Sequence, residues 1–258
     1  MEWCIFDKIK NYCLQGGNCM GTIGIIGAMD IEIKYIKENM EIVEEIMYAG
    51  FLFHIGNYRN LNIVLCCAGM GKVNSAGCTQ ILITKFNVKK IISTGVAGSL
   101  NPKVKICDVV ISNKVAYHDV AKSQMNNFFP YEDKFTCDEH LKRLAIKAYN
   151  KIELKECTYH IGKIVTGEIF VADNKLRNTL RTKYHAECVE MEGGSIAHIC
   201  YINKIPFILI RGICDNADNY APMVYKQLDM IAAYNSSKFL VKLLEEISYS
   251  EKDDLKQL

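Results

Sequence analysis

The chain has 258 residues, of which half are hydrophobic and 23% are charged. That length can bury one sizeable hydrophobic core and requires no second domain. The 31 basic and 29 acidic residues are mixed along the sequence and leave a formal charge of +2. Because no basic block or basic stripe with interleaved aromatics occurs, the composition argues against nucleic-acid binding.

Residues 1–20 carry charges in their middle and lack the apolar centre of a signal peptide, and no apolar run in the chain is long enough to cross a bilayer. We therefore expect a cytoplasmic protein without membrane contact. The twelve cysteines form no Cys-x-x-Cys pair, which favours reduced, buried thiols over disulfides or zinc. The sequence thus predicts no metal site and no cofactor.

Strand and helix patterns alternate along most of the chain. The first two are a strand over 22–28 and a helix over 31–40. In chain order there follow a hairpin of strands over 51–58 and 61–68, a helix over 73–86, strands over 90–94 and 109–117, a helix over 136–149, a strand over 158–167, a helix over 174–181, a short strand near 187–190, a helix over 192–203, a strand over 206–213 and a helix over 224–247.

This alternation predicts a three-layer α/β/α fold around a central mixed, mostly parallel twisted sheet. Residues 21–250 are expected to form a single domain. Residues 1–20 would be an N-terminal extension without a clear structural period, and residues 251–258 a charged and frayed tail.

Three short acidic stretches each follow a predicted strand. They are Gly-Ala-Met-Asp-Ile-Glu at 27–32, Val-Glu-Met-Glu at 189–192 and Arg-Gly-Ile-Cys-Asp at 211–215. Since the carboxyl ends of strands in an open α/β sheet meet at one crevice, these carboxylates and the arginine should converge there. Their convergence suggests acid–base chemistry on a small polar molecule.

Each acidic residue also has a purely structural interpretation. Glu32 could be an acid favoured by a helix dipole, and Asp215 an N-cap. Glu190 and Glu192 could be an acidic pair at a helix N-terminus. Strand alternation would instead point both glutamates to one side, where a ribose diol could donate two hydrogen bonds. Arg211, near the end of a buried strand, must find an acid or an anion under either interpretation.

Two glycine-containing turns follow other strands. Ala68–Asn74 has the wrong glycine spacing for a phosphate loop, and no Ser or Thr follows Lys72. Thr94-Gly-Val-Ala-Gly98 would let the backbone of Ala97 and Gly98 approach a ligand closely, although an ordinary turn is equally compatible with it.

Taken together, these motifs resemble the 5′-methylthioadenosine/S-adenosylhomocysteine nucleosidases of the purine nucleoside phosphorylase superfamily. The resemblance runs from about residue 22 to residue 247. It is carried, in order, by Ile-Gly-Ile-Ile-Gly-Ala-Met-Asp-Ile-Glu, Ala-Gly-Met-Gly-Lys-Val-Asn-Ser-Ala, Ser-Thr-Gly-Val-Ala-Gly-Ser-Leu, Tyr-His-Asp-Val, Val-Glu-Met-Glu-Gly and Arg-Gly-Ile-Cys-Asp-Asn-Ala-Asp.

The resemblance implies hydrolysis of the N-ribosidic bond of a 5′-substituted adenine nucleoside: methylthioadenosine, S-adenosylhomocysteine or 5′-deoxyadenosine. Asp215 would protonate the adenine leaving group, and Glu32 would activate water. The implied substrate contacts are Met29, Met70, Ala97, Gly98, Phe170, Val171, Glu190, Met191, Glu192, Arg211 and Tyr225.

Among these contacts, Glu192 would hold the ribose diol above Met191, and Arg211 would help to place the water. Phe170 would stack on adenine while the backbone of Val171 reads the edge of the base. Tyr225, with Met29 and Met70, would lie near the 5′ substituent.

The chain departs from the family pattern at two places. Val96 stands where many relatives have serine, and residues 121–130 differ from the loop that covers the 5′ group across a dimer interface in the family. The resemblance implies a homodimer with Phe128 and Phe129 close to the partner's site, whereas the 5′ preference stays open. The alternatives are a phosphate-dependent nucleoside phosphorylase, for which Arg59 and Arg211 are the candidate phosphate ligands, and a non-catalytic nucleoside-binding or storage relative.

Overall fold

A computed structural model describes residues 21–152 and 157–255. The strands are β1 Ile23–Gly27, β2 Glu41–Tyr48, β3 Phe51–Tyr58, β4 Leu61–Cys67, β5 Lys90–Ser99, β6 Val109–Tyr117, β7 Phe135–Thr136, β8 Tyr159–Thr166, β9 Cys188–Glu190 and β10 Phe207–Asp215. The helices are α1 Asp30–Asn39, α2 Lys72–Thr84, α3 Lys122–Asn127, α4 Glu139–Tyr149, α5 Asn174–Tyr184, α6 Gly193–Asn203 and α7 Ala221–Leu255.

One mixed sheet runs through the molecule in the order β10-β6-β8-β9-β5-β1-β4-β3-β2. Its centre is parallel, because β1 pairs in parallel with both β4 and β5, and β5 with β10. The β2–β3–β4 meander at one edge is antiparallel. A further pairing of β10 with β5 closes the other part of the sheet into a barrel of β5, β10, β6, β8 and β9. The prediction of an α/β fold with a mixed sheet is confirmed, but the sheet is not open along its whole length.

Helices cover both faces of the sheet, as the three-layer prediction requires. On one face α2 and α6 pack against a cluster that includes Leu82, Ile196 and Phe207. On the other face α7 packs against α1 and α4 over a second cluster, in which Phe239 is central. Because both faces are covered, the strands consist of near-continuous apolar residues, and β1 and β10 are buried along their full length.

The structure adds elements that the sequence patterns left unassigned. Strand β2 follows α1 directly and forms the edge of the sheet. Several of its residues are acidic and none is fully buried, so the sequence lacks the regular apolar–polar alternation that predicts a strand. Strand β5 continues through Gly95 to Ser99, beyond the predicted end at residue 94, because β10 pairs with it as far as Gly98. Helix α3 occupies part of the divergent 121–130 segment.

The chain ends need one correction. Helix α7 extends to Leu255, so the first five residues of the predicted frayed tail continue the last helix. The predicted extension over 1–20 lies outside the described residues. No helix in the described part of the chain is long and apolar enough to cross a membrane.

Candidate active site

The strand ends bring the predicted acidic residues together, beginning with Glu32 in the first turn of α1. Its Oε2 accepts hydrogen bonds from the N–H groups of Ala28 (2.6 Å) and Met29 (3.0 Å), and its Oε1 accepts one from Val96 N–H (2.9 Å). Glu32 therefore does cap the helix start, but its side chain also faces β5. Gly95 leaves the necessary room, since a Cβ there would lie 2.8 Å from Glu32 Oε1.

Two effects oppose each other at the Glu32 carboxyl. Burial raises its pKa above the usual value, because only 3% of the residue is exposed. The positive charge of Arg211 and the three backbone N–H groups lower it. Fixed donors thus face this carboxyl group in a water-poor environment, an arrangement that suits a group that must attract a proton.

Arg211 in β10 forms a buried ion pair with Glu190 in β9. Its Nη2 and Nε donate to Glu190 Oε2 at 2.8 and 3.3 Å, and Nη2 also donates to Ser93 Oγ at 3.0 Å. The other Glu190 oxygen accepts from Thr166 Oγ1, and Oε2 also accepts from Gly193 N–H at 2.7 Å. Both oxygens of Glu190 are occupied inside the protein.

Glu192 differs from its neighbour, although strand alternation predicted that the two would act alike. Its Oε1 accepts one hydrogen bond, from Gly71 N–H at 2.7 Å. Burial, followed by the charge of Glu190, raises the pKa of Glu192 to about 8. The chain bends at Glu192, which precedes α6, so that this carboxylate turns toward Glu32 and Arg211.

Asp215 closes β10 and is 1% exposed. Its Oδ1 accepts from Ala217 N–H at 2.7 Å, and the Cys214 thiol donates to Oδ2 at 3.1 Å. It does not cap α7, which begins only at Ala221. Burial raises the pKa of Asp215, and the hydrogen bonds from Cys214 and Ala217 oppose that effect only partly.

The predicted aromatic residues meet beside Asp215. The rings of Phe170 and Tyr225 are in edge contact with centroids 5.5 Å apart, and the Tyr225 hydroxyl donates to Met29 Sδ at 3.3 Å. Phe170 is half-exposed while Val171 is buried. Met70 is largely exposed at the start of the turn before α2.

The site has two small clefts. One is lined by Glu32, Glu192 and Arg211 together with the glycine turns after β1 and in β5. The other is lined by Asp215, Phe170, Val171, Met191 and Gly98, with Glu190 also at its wall. Both clefts border β5 and the 190–192 segment, so one ligand lying across them would contact Glu32 at one end and Asp215 at the other.

Sequence reasoning did not find the groups that hold these side chains. The N–H groups of Gly71 and Val96 are backbone donors, and no residue type announces them. Ser93 and Thr166 lie within strands and pass for ordinary strand residues. Ala97 is buried in β5, and its carbonyl oxygen is 3.5 Å from the Cys214 thiol. In the described part of the chain, no group of three or more His, Cys, Asp or Glu side chains could hold a metal ion.

Comparison with known proteins supports one family. The family model described as the Phosphorylase superfamily matches residues 22–247. The chain is 36% identical over 234 residues to the 5′-methylthioadenosine/S-adenosylhomocysteine nucleosidase of Staphylococcus carnosus, with 87% of this chain and 100% of the relative covered. It is 36% identical over 235 residues to the aminodeoxyfutalosine nucleosidase of Helicobacter pylori, with 88% and 100% covered.

A solved structure agrees with these relatives. The 5′-methylthioadenosine/S-adenosylhomocysteine nucleosidase from Neisseria meningitidis, in complex with methylthio-immucillin-A, is similar with a TM-score of 0.83 at 31% identity, and 87% of this chain and 99% of that chain are covered.

The different surroundings of Glu190 and Glu192 predict that replacing each by glutamine has a different effect on stability. Glu190→Gln removes the carboxylate that is hydrogen-bonded to the buried Arg211 guanidinium, and we expect it to lower the free energy of unfolding by about 3–5 kcal/mol. Glu192→Gln removes a carboxyl whose pKa is already raised by burial and keeps an oxygen for Gly71 N–H, so stability should be unchanged or slightly higher. Urea unfolding at pH 7 measures both. A Glu190→Gln protein as stable as the wild type would refute the structural assignment of this ion pair.

Proposed function

We propose that this chain, which belongs to the 5′-methylthioadenosine/S-adenosylhomocysteine nucleosidase family of the phosphorylase superfamily, hydrolyses the N-ribosidic bond of methylthioadenosine and S-adenosylhomocysteine. Water is the second substrate, and the products are adenine and a 5-substituted ribose. The observation that carries this proposal is the separation of Asp215 and Glu32 into the two clefts of one site.

Asp215 is suited to the leaving-group side. Adenine departs readily only when N7 is protonated, so the acid must still hold its proton near neutral pH. Burial favours the neutral form of Asp215, and no cation is among the groups that shift its pKa. Phe170 and Val171 line the same cleft, where a ring can stack and a backbone can read the edge of the base.

Glu32 is suited to the water side. A carboxylate offers about four acceptor positions, and three are filled by backbone N–H groups, which leaves one for a water proton. As the bond to adenine breaks, the sugar gains positive charge, which the same carboxylate stabilises. The division of labour parallels the paired carboxylates of glycoside hydrolysis.

The ribose lies between these two groups in our proposal. Glu192 accepts from the diol, and Met191 packs beneath the sugar. Arg211 already donates to Glu190, Ser93 and the Ile210 carbonyl. Its remaining capacity is small, so its main effects on the reaction are its charge beside Glu32 and Glu192 and the support of the site through Glu190.

Both arginines that are candidate phosphate ligands under the phosphorylase alternative are already paired with carboxylates. Arg59 lies in the turn before β4, whereas the site lies near the other end of β4, where Cys67 is paired with Gly27 of β1. The Arg59 side chain pairs with Glu245 at 2.8 Å. Arg211 is buried and committed to Glu190. A storage role has no need for an acid and a base held in separate clefts. Both observations favour hydrolysis.

Two finer statements belong to the proposal. The proposed substrates are methylthioadenosine, S-adenosylhomocysteine and 5′-deoxyadenosine, which differ in the 5′ substituent. We also place the protein in the cytoplasm. The nine cysteines in the described residues are all free thiols, which is the usual state in a reducing compartment.

The direct test is adenine release from methylthioadenosine in phosphate-free buffer. We expect adenine and methylthioribose as products and no increase in rate when phosphate is added. Formation of a ribose 1-phosphate, or adenine release only with phosphate present, would support the phosphorylase alternative.

In the same assay Asp215→Asn should lower turnover by about 10²–10⁴-fold, since an amide cannot protonate adenine, while nucleoside binding is largely retained. Glu139→Gln, which neutralises an exposed acid on α4, is the matched control and should behave like the wild type. Near-normal turnover of a folded Asp215→Asn protein would contradict the assignment.

The pH dependence follows from the two raised pKa values. Turnover needs an ionised Glu32 and a protonated Asp215, so kcat/KM should be bell-shaped, with activity lost as Glu32 gains a proton at low pH and as Asp215 loses one at high pH. Burial raises both pKa values, so each limb should lie above the ordinary range for its residue. Because the Glu32 charge also acts on Glu192, the acid limb reports this pair and not one residue alone.

Glu32→Gln provides the check on that profile. It should lose most activity but retain ribose affinity, which rests on Glu192. An acid that only complements a helix dipole would cost about 0.3–1 kcal/mol of stability and leave the rate unchanged. Turnover and melting temperature of this one variant therefore separate the two interpretations.

We further propose a homodimer that covers the 5′ end of each site. Phe128, Phe129 and Tyr131 are each about two-thirds exposed, with values of 67%, 68% and 68%, an unusual surface for an isolated chain. Sedimentation should show a dimer at micromolar concentration, and replacing Phe128 and Phe129 together by serine should weaken both the dimer and the activity. A fully active wild-type monomer would refute this.

A further inference from the structure

A cluster of charged side chains borders the site without facing either cleft. Lys72 Nζ lies 2.7 Å from Asp119 Oδ2 and 3.9 Å from Glu168 Oε2. Lys72 begins α2, Asp119 follows β6 and Glu168 follows β8. We call these three residues the Lys72–Asp119–Glu168 clamp, because they join three segments that are 47 or more residues apart in the sequence.

Backbone groups tighten the clamp beyond a simple ion pair. The oxygen of Asp119 that binds Lys72 also accepts from Glu168 N–H at 2.9 Å. In return Glu168 Oε2 accepts from Lys72 N–H at 3.2 Å. The Lys72 ammonium also lies over the ring of Tyr117, 5.5 Å from its centroid. Each member of the clamp therefore has two partners or more, which fixes the relative position of the three segments.

The clamp ends on a group that touches the site. Gly71, directly before Lys72, donates its N–H to Glu192 Oε1 at 2.7 Å. It has a φ of +94°, and a Cβ there would lie 2.5 Å from Glu168 Oε1. Only glycine fits a backbone of that conformation so close to Glu168. Lys72 is held through its side chain by Asp119 and through its backbone N–H by Glu168. The clamp therefore restricts the backbone that carries the Gly71 N–H.

A second consequence concerns the aromatic cleft. Glu168 stands two residues before Phe170 and three before Val171, and both of these line the cleft that contains Asp215. The hydrogen bond from Glu168 N–H to Asp119 fixes the start of that segment. The clamp thus holds both the Gly71 N–H, which donates to Glu192, and the start of the segment that carries Phe170.

We infer that Asp119 and Lys72 are positioning residues for substrate binding: they hold the Gly71 N–H against Glu192 and the 168–171 segment beside Asp215 without touching the substrate. This inference rests on the nucleoside hydrolysis proposed above. Glu32 and Asp215 do not depend on the clamp, because their hydrogen bonds come from Ala28, Met29, Val96, Cys214 and Ala217. Loosening the clamp should therefore weaken binding more than chemistry.

The test uses the full-length protein and methylthioadenosine, with kcat and KM measured separately. Asp119→Asn and Lys72→Met each break the charged hydrogen bond, and each should raise KM about tenfold while kcat stays within about threefold. Lys72→Arg keeps the charge and should restore most of the affinity. Glu139→Gln, which removes the acid of a surface ion pair on α4, should leave both constants unchanged.

The double variant Asp119→Asn with Lys72→Met gives a second, independent readout. If the two residues act as one unit, the double variant should be no worse than either single variant, a clear departure from additivity. Surface ion pairs contribute only about 0–1 kcal/mol to stability. We therefore expect small changes in melting temperature, and Lys72→Met provides the test if Asp119→Asn does not fold.

The outcomes separate this inference from the proposed function. A wild type that releases no adenine overturns both. An active wild type whose clamp variants keep the wild-type KM, or lose only kcat, overturns the positioning role and leaves the function in place. Strict additivity of the two substitutions would also overturn the clamp as a unit.

Discussion

The buried ion pair between Arg211 and Glu190 is the interaction on which the rest of the site depends. Together with Thr166 and Ser93 it links β10, β9, β8 and β5, which are four of the five strands of the barrel. Removing either partner leaves the other without its hydrogen-bonded counterpart at this depth, which would cost several kcal/mol. The ion pair therefore stabilises the closed part of the sheet, and closure brings the carboxyl ends of β5, β9 and β10 together.

That arrangement gives the two proposed catalytic carboxyls, Glu32 and Asp215, different electrostatic surroundings. Burial raises the pKa of Glu32, but the Arg211 charge and three backbone N–H groups oppose that effect. Asp215 is equally buried but has only one backbone N–H and a thiol as donors, and its neighbour Asp218 raises its pKa further. One cation, placed on one side, thus opposes the effect of burial on the pKa of Glu32 and is not among the groups that shift the pKa of Asp215.

The strand and helix periods, and the ends of the buried strands, were predictable from the sequence because they depend on local apolar patterns. The convergence of Glu32, Glu192 and Asp215 was predictable as well, since each follows or ends a strand of one sheet, whereas Arg211 lies in the middle of β10. The different roles of Glu190 and Glu192 were not. Strand alternation treats residues 190 and 192 as equivalent, but β9 ends at Glu190. The two glutamates then have different partners that are distant in sequence, Arg211 for Glu190 and Gly71 for Glu192.

Backbone contacts also explain how the site accommodates its departures from the family pattern. At Val96, where the family pattern that the sequence resembles has serine, the side chain carries no hydroxyl, but the backbone N–H donates to Glu32 at 2.9 Å and Gly95 leaves room for the carboxyl. Glu32 and Asp215 are held mainly by backbone N–H groups near strand ends. These donors remain in place when a side chain is replaced, as long as the strands stay paired. The divergent 121–130 segment lies after β6, and none of the hydrogen bonds to Glu32 or Asp215 comes from it. Under the proposed function, changes in this segment would leave the hydrogen bonds to the two proposed catalytic carboxyls intact.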